Sequence, residues 1–355
     1  MKHDKPIFAS LALSAILFGV TLFVIRTAKA DPVWAAETMR PWAVAIVNRM
    51  ADFWSFIPWS VAEMGLFALI IAFIVTVTLT LIRFFSRPGK LRTLLTFAAS
   101  WVLIASILFS VFELLFGYGY HAESMTKSLN LQSKPRPAEE LYAAVLHLAE
   151  RANQTYPGGT DTVPDREEFQ ALAEAVTPLA EAYFGTPQAS PKMVRASELM
   201  SYTQITGVFT PFTGESNVNT NDVGASLPFT MAHELCHRNG VNPEDEANLF
   251  AFILLYESDT PRLQYSASFM GLLYTMPKLR KADADLYQQA SAAISREVWD
   301  DISAYGTHWD QYEGKTAEVA SNMNHSYLQS HGQTEGVKSY GNVVDWILAY
   351  FENQL

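Results

Sequence analysis

One cysteine, Cys236, in 355 residues excludes an internal disulfide framework and any cysteine-rich zinc module. Basic residues are scarce after position 120: residues 121–355 carry 15 Lys and Arg against 30 Asp and Glu, whereas residues 1–120 carry 10 against 6. A body with that acidic excess repels phosphate backbones, whose binding rests on neutralisation by Lys and Arg, so no nucleic-acid partner is expected. Internal repeats and low-complexity tracts are absent from the sequence as well, which removes solenoids and arrays. The chain is 49% apolar, too rich to be disordered. The change of sign near residue 120 divides it into two objects.

The first object has long stretches free of charge. Residues 7–25, 64–82 and 93–112 contain no Asp, Glu, Lys or Arg. A bilayer core needs about 20 apolar helical residues, since each advances about 1.5 Å, so residues 1–120 read as a membrane region with three transmembrane helices. For the first run a cleaved signal peptide is the competing reading, with Lys2 and Lys5 before it and Ala28-Lys29-Ala30 as a small-residue cleavage site. Arg83, Arg87, Lys90 and Arg92 fill the loop between the second and third runs without an acid, which predicts that this loop and the N-terminus are cytoplasmic. The rest of the chain is then extracytoplasmic. Trp34, Trp42, Trp54 and Trp59 fall in the outer loop, where their rings either sit among headgroups or pack on the soluble body.

The second object is predicted to be mostly helical, an α+β arrangement at most. Polar, proline-bearing residues within 121–137 suggest a linker to a domain at 138–355. Helical periodicity follows in residues 138–152 and 166–183, and Pro187 and Pro191 interrupt it. Residues 202–219, β-branched, aromatic and punctuated by glycine, predict a short strand or hairpin. Within it, Thr210 to Asn219 is either an extended segment that pairs with a substrate backbone or a structural hairpin with Glu215 on its surface. Helices resume at about Pro228, with breaks expected at residues 240–243 and 259–261, at Gly306 and at residues 332–341.

The chemistry is expected at His233-Glu234-Leu235-Cys236-His237. Histidines at i and i+4 share a helix face, so both imidazoles reach one divalent ion, and Glu234 lies beside its remaining position as a general base for water. Cys236 occupies a variable position and reads as a small helix-packing residue. Gly240 can end this helix, Asn242 can cap the next and Pro243 suits its first position. Glu244, Asp245 and Glu246 then offer carboxylates, most of which merely complement the helix dipole. At about 100° per residue, Ala247 and Ala251 form a small-residue stripe where another helix can approach. Glu244 borders that stripe and is the favoured third ligand, with Glu246 as the alternative, and Asn248 one turn on could accept from a ligand imidazole. His308, His325, His331, Tyr327 and Tyr340 are each able to stabilise an oxyanion.

These residues carry a resemblance. Glu244-x-x-Ala247-Asn248 resembles the E-x-x-A-D segment of gluzincin peptidases, in which the Glu is the third zinc ligand and the residue four later holds a zinc-bound histidine. Gly240 matches the glycine of the metzincin opening, but Pro243 stands where a metzincin places its third ligand, which sets that class aside. The segments at residues 211–219, 227–240, 244–248 and 326–341 are similar to the bacterial family called domain of unknown function 3810, and the similarity covers nearly the whole chain. That resemblance implies a three-helix membrane region joined to a zinc-peptidase domain. The expectation is therefore a membrane-anchored zinc metallopeptidase acting on a peptide or protein, with His233, His237 and Glu244 holding Zn2+ and Glu234 as base. The alternative is a membrane-anchored sensor or scaffold without turnover, which would need the histidines but have no use for Glu234.

Overall fold

The computed structural model describes residues 5–134, 136–333 and 342–352. It is mostly helical, with one three-stranded sheet among the described residues. Helices α1 (Lys5–Ala30), α4 (Val61–Ser86) and α5 (Lys90–Leu115) are long and apolar enough to cross a membrane. Each outruns the charge-free stretch in its sequence, because charged residues at the ends keep their backbone bonds helical while their side chains reach for water. α1 packs along α5, where the Thr21 and Ser110 hydroxyls bond at 2.8 Å.

Between α1 and α4 the chain is helical too: α2 (Pro32–Trp34), a π-helical turn (Ala35–Met39) and α3 (Arg40–Phe53). The tryptophans of this stretch differ in their surroundings. Trp42 is exposed, whereas Trp59 bridges to Met193 and lies between the guanidinium groups of Arg166 and Arg195, 4.7 and 4.6 Å from its ring centre.

Within the expected linker at 121–137, residues 121–129 are docked instead. Two 3-10 turns, Gly117–His121 and Met125–Leu129, follow α5, and the Met125 N–H donates to Glu246 at 3.2 Å. Its polar composition serves contacts to distant backbone and carboxylates, which composition alone cannot separate from solvation.

The remaining body is built from α6 (Ala138–Thr155), α7 (Arg166–Phe184), β1 (Lys192–Val194), α8 (Ser197–Ser201), β2 (Gly207–Thr210), β3 (Glu215–Asn219), α9 (Leu227–Arg238), α10 (Glu244–Tyr256), α11 (Pro261–Ala282), α12 (Ala284–Ala293), α13 (Arg296–Asp310), α14 (Lys315–Ser330) and α15 (Val343–Glu352). Asp165 caps α7 by accepting from the Glu168 N–H, and Gly185 at φ 68° ends it. The apolar faces of α6, α7, α9, α10 and α11 meet in one core around Leu148, Val176, Leu235, Phe250 and Phe269. The break expected at Gly306 does not occur: α13 runs through it, since a helical glycine costs only about 1 kcal/mol and the chain on both sides is periodic.

The sheet order is β1-β3-β2, with β1 parallel and β2 antiparallel to β3. The structure bears out the hairpin of Thr210 to Asn219 but not the exposure of Glu215, and it does not leave β3 free to pair with a substrate. β3 is the central strand and buried throughout, so β2 presents the free edge. Glu215 is likewise buried, and its carboxylate accepts from the Val61 and Ala62 N–H groups at 3.2 and 2.8 Å, filling the orphan donors that start α4. Beside it, the Lys192 ammonium donates to the carbonyls of Trp54 and Ile57.

Candidate metal centre

α9 carries His233, Glu234 and His237, and several devices hold it in place. The buried Arg238 guanidinium donates to the Ser216 hydroxyl at 2.8 Å and the Ala189 carbonyl at 2.6 Å. The Ser216 hydroxyl in turn donates to the Glu234 carbonyl at 2.9 Å, pinning α9 to β3. α9 ends in a Schellman turn, with the Gly240 N–H on the His237 carbonyl and the Val241 N–H on the Cys236 carbonyl, at 3.0 and 3.1 Å. Gly240 takes φ 81° there, and a Cβ on it would press into the Arg40 side chain.

That turn also orients a candidate ligand. It returns the Val241 carbonyl to His237 Nδ1 at 2.8 Å, so Nδ1 carries a proton and Nε2 is the nitrogen turned to Glu244. Pro243, rather than Asn242, is the cap of α10. Asn242 instead donates to the Phe116 carbonyl at 2.9 Å, a demand for a partner 126 residues away that outweighs the local cap.

The three acids opening α10 have three different partners. Glu244 Oε2 lies 3.3 Å from His233 Nε2 and 3.5 Å from His237 Nε2. Asp245 accepts from the Trp346 indole at 3.0 Å, and Glu246 turns to Met125. His233, His237 and Glu244 thus form a cluster that could hold a metal ion. Ala247 and Ala251, both fully buried, line the close approach of α10. Asn248, one turn beyond Glu244, receives the Tyr274 hydroxyl at 3.4 Å, and His233 Nδ1 has no hydrogen-bond partner.

The cluster is nearly closed to solvent: the side chains of His233, Glu244 and His237 keep 13, 12 and 7% exposure. Burial, and then the neighbouring His237, press the His233 pKa down. Burial also opposes a charge on His237, but the Glu244 carboxylate outweighs it and, with Glu234, raises His237 to about 9. Burial likewise acts against ionisation of Glu244, yet the two imidazoles hold that carboxyl well below the usual range. Without an ion, then, Glu244 carries a negative charge that a cation must balance, and a proton on His237 does so. Glu234 is pushed up to about 8, chiefly by burial, and its Oε2 has no hydrogen-bond partner. Gly207 of β2 lies flush against it, and the Phe209 N–H acts on its carboxylate.

An aromatic wall faces the cluster, a feature composition did not reveal. The Phe116 ring meets the His237 ring edge-on at 5.6 Å and the Phe209 ring at 5.4 Å. Tyr120, Tyr327 and Leu328 continue this wall. Of the other candidate residues, Tyr327 is raised by burial first and further by the charge of Glu244. His331 Nε2 pairs with Glu113 of α5 at 3.0 Å, and His308 Nε2 meets the Asn221 carbonyl at 2.7 Å. His325 lies half-buried on α14, and Tyr340 falls outside the described residues. Cys236 is buried and packs in the main core.

Fold and site define a class: a mostly helical protein with three candidate membrane-spanning helices and a His-Glu-His cluster able to take a metal. The family model described as protein of unknown function (DUF3810) matches residues 39–348, and the chain belongs to that family. No curated protein and no solved structure matches it.

Proposed function

We propose that the protein is a zinc-dependent metallopeptidase of the gluzincin kind, anchored in a bacterial cytoplasmic membrane with residues 121–355 on the extracytoplasmic side. The observation that carries this reading is Glu234: a buried carboxylate with one unpartnered oxygen, beside three convergent ligand atoms to which it does not itself belong. A site built only to hold an ion has no use for it.

The donor set fits zinc. Ligands about 2.0–2.1 Å from a tetrahedral ion stand about 3.3–3.4 Å from one another, which compares with the observed 3.3 and 3.5 Å. His233, His237 and Glu244 would hold the ion, whose chemistry when bound is to polarise water and the scissile carbonyl. Glu234, raised toward neutrality, is suited to take a proton from the attacking water and return it to the leaving amine. The Thr206 carbonyl accepts from the Asn219 N–H at 2.8 Å, and antiparallel alternation then turns the backbone of Gly207 and Phe209 away from β3, toward Glu234. An extended peptide added along that edge would bring its backbone to the base. Tyr327 is the candidate donor to the oxyanion.

The near closure of the cluster favours a second reading, a sensor or scaffold that binds without turnover. Glu234→Gln separates the two. The amide keeps the size of the side chain but cannot take the proton, so the variant should hold about one zinc per chain while peptide cleavage falls by about 100-fold to 10,000-fold. A wild-type protein that carries zinc and binds a ligand tightly, yet cleaves neither free nor membrane-anchored peptides, would move the reading to the sensor.

A further inference from the structure

The metal cluster lies against the end of a membrane helix. If the apolar core of the bilayer begins at Thr93, about 20 helical residues bring α5 to Phe112 at the opposite boundary. Glu113 is the first residue beyond, and its carboxylate pairs with His331 at 3.0 Å. Phe116 follows about 4.5 Å further along at 1.5 Å per residue, and its ring touches those of His237 and Phe209. The start of the second span is equally close to the sheet, since Glu215 of β3 caps α4 directly. His237 and the β2 edge therefore sit on the order of 10 Å from the apolar core, at the depth of the headgroup layer or just above it.

The approach to β2 is apolar as well. Leu199, Tyr202, Ile205 and Val208, on α8, β2 and the turn between them, are all exposed, as is Phe212 at the hairpin tip. The α5 side of the cluster is walled by Phe116, Tyr120 and Tyr327. A rigid folded surface meets that wall, whereas a single extended chain can lie along the strand edge and continue into the bilayer.

We infer that the substrate is a membrane-anchored polypeptide, cut in an extended, apolar stretch a few residues from its own membrane boundary. The inference rests on the peptidase reading and adds the class of substrate to it. Confinement of both chains to one bilayer supplies the effective concentration that a strand edge with few side-chain pockets does not, a gain commonly of about 100-fold or more.

The test uses the full-length protein, zinc-loaded, in phosphatidylcholine and phosphatidylglycerol vesicles. The probes are a randomised eight-residue stretch joined to an alanine–leucine transmembrane helix through a short or a long flexible spacer, and the same stretch without the helix. Short-spacer probes should be cut about 100-fold faster than helix-free ones, with the advantage shrinking as the spacer lengthens. Equal rates for all three would overturn the inference and leave the peptidase reading intact. Cleavage of none by zinc-loaded protein would remove the peptidase reading and this inference with it. The depth of the site is measured without turnover by placing Cu2+ in the zinc-free protein, in vesicles whose lipids carry a nitroxide at the headgroup or at the chain terminus. Dipolar broadening should be strong for the headgroup label and weak for the chain end, and its absence with both labels would overturn the inference whatever the cleavage data.

Discussion

Replacing Gly207 by alanine tests whether Glu234 works as a base held in one position. A Cβ there would stand 2.7 and 2.8 Å from Cγ and Cδ of Glu234, whereas ordinary contact begins near 3.4 Å. Oε1 of Glu234 lies closer still, so the carboxylate must retreat by about 1 Å. It cannot swing into solvent, because Glu234 is only 3% exposed and its backbone is held by Ser216. Neither ligand imidazole needs to move, so metal content should stay at the wild-type level. Misplacing a reacting group by about 1 Å can cost about 100-fold, so the variant should lose about 100-fold in kcat. The crowding should also cost about 1–3 kcal/mol of stability. The assay is cleavage of the best peptide from a library, with zinc measured on the same preparation and a melting curve to show that the variant is folded. A folded, zinc-loaded Gly207→Ala protein with kcat within twofold of wild type would refute the claim that the strand edge fixes the base.

Two further outcomes follow from the way the acids are partnered. Glu244→Ala should lose bound zinc, while Glu246→Ala should keep it and melt at a lower temperature because the Met125 N–H loses its acceptor; the reverse pattern in metal analysis would overturn the assignment. Burial lifts the Asp222 carboxyl from 3.8 to about 7, so folding favours its protonated form: its contribution is intact below pH 4, declines as pH rises, and is lost by about pH 7. Asp222→Asn should therefore lessen the fall in melting temperature between pH 5 and 8, by an amount corresponding to no more than a few kcal/mol, and parallel curves for the two proteins would show that Asp222 is not the group responsible.

What could be read in the sequence is what local chemistry decides. The periodicity over residues 138–152 and 166–183 matches α6 and α7 to within a few residues at their C-terminal ends, because both helices bury one regular apolar stripe. The i, i+4 spacing placed His233 and His237 on one face, and the rotation of α10 placed Glu244, rather than Glu246, toward them. The misreadings were each decided by a distant partner. β1 has three residues and exists through its pairing with β3, so it left no pattern of its own. Asn242 has the chemistry of a cap but is claimed by Phe116, and Glu215 has the chemistry of a surface residue but is claimed by α4. Gly306 is the opposite case, a local breaker overruled by the periodic helix around it.

Those distant claims bear on where the functional unit ends. The turn joining α9 to α10 fixes the cluster, since Val241 orients His237 and Pro243 opens the helix that bears Glu244. Its other side is gripped by residues outside the C-terminal body. Asn242 bonds to Phe116, a Cβ on Gly119 would overlap the Asn242 amide, Gly240 lies against Arg40, and Glu246 holds Met125. A hinged membrane anchor would leave such a turn to its own body, as domains joined by a polar linker do. Here the residues that follow α5 serve as the second wall of the cluster, and a shift of α5 relative to the sheet would move Phe116 against His237 directly. The boundary drawn at residue 138 from composition therefore does not separate two independent structures: the cluster is carried by the body that follows it and completed by the chain that follows α5.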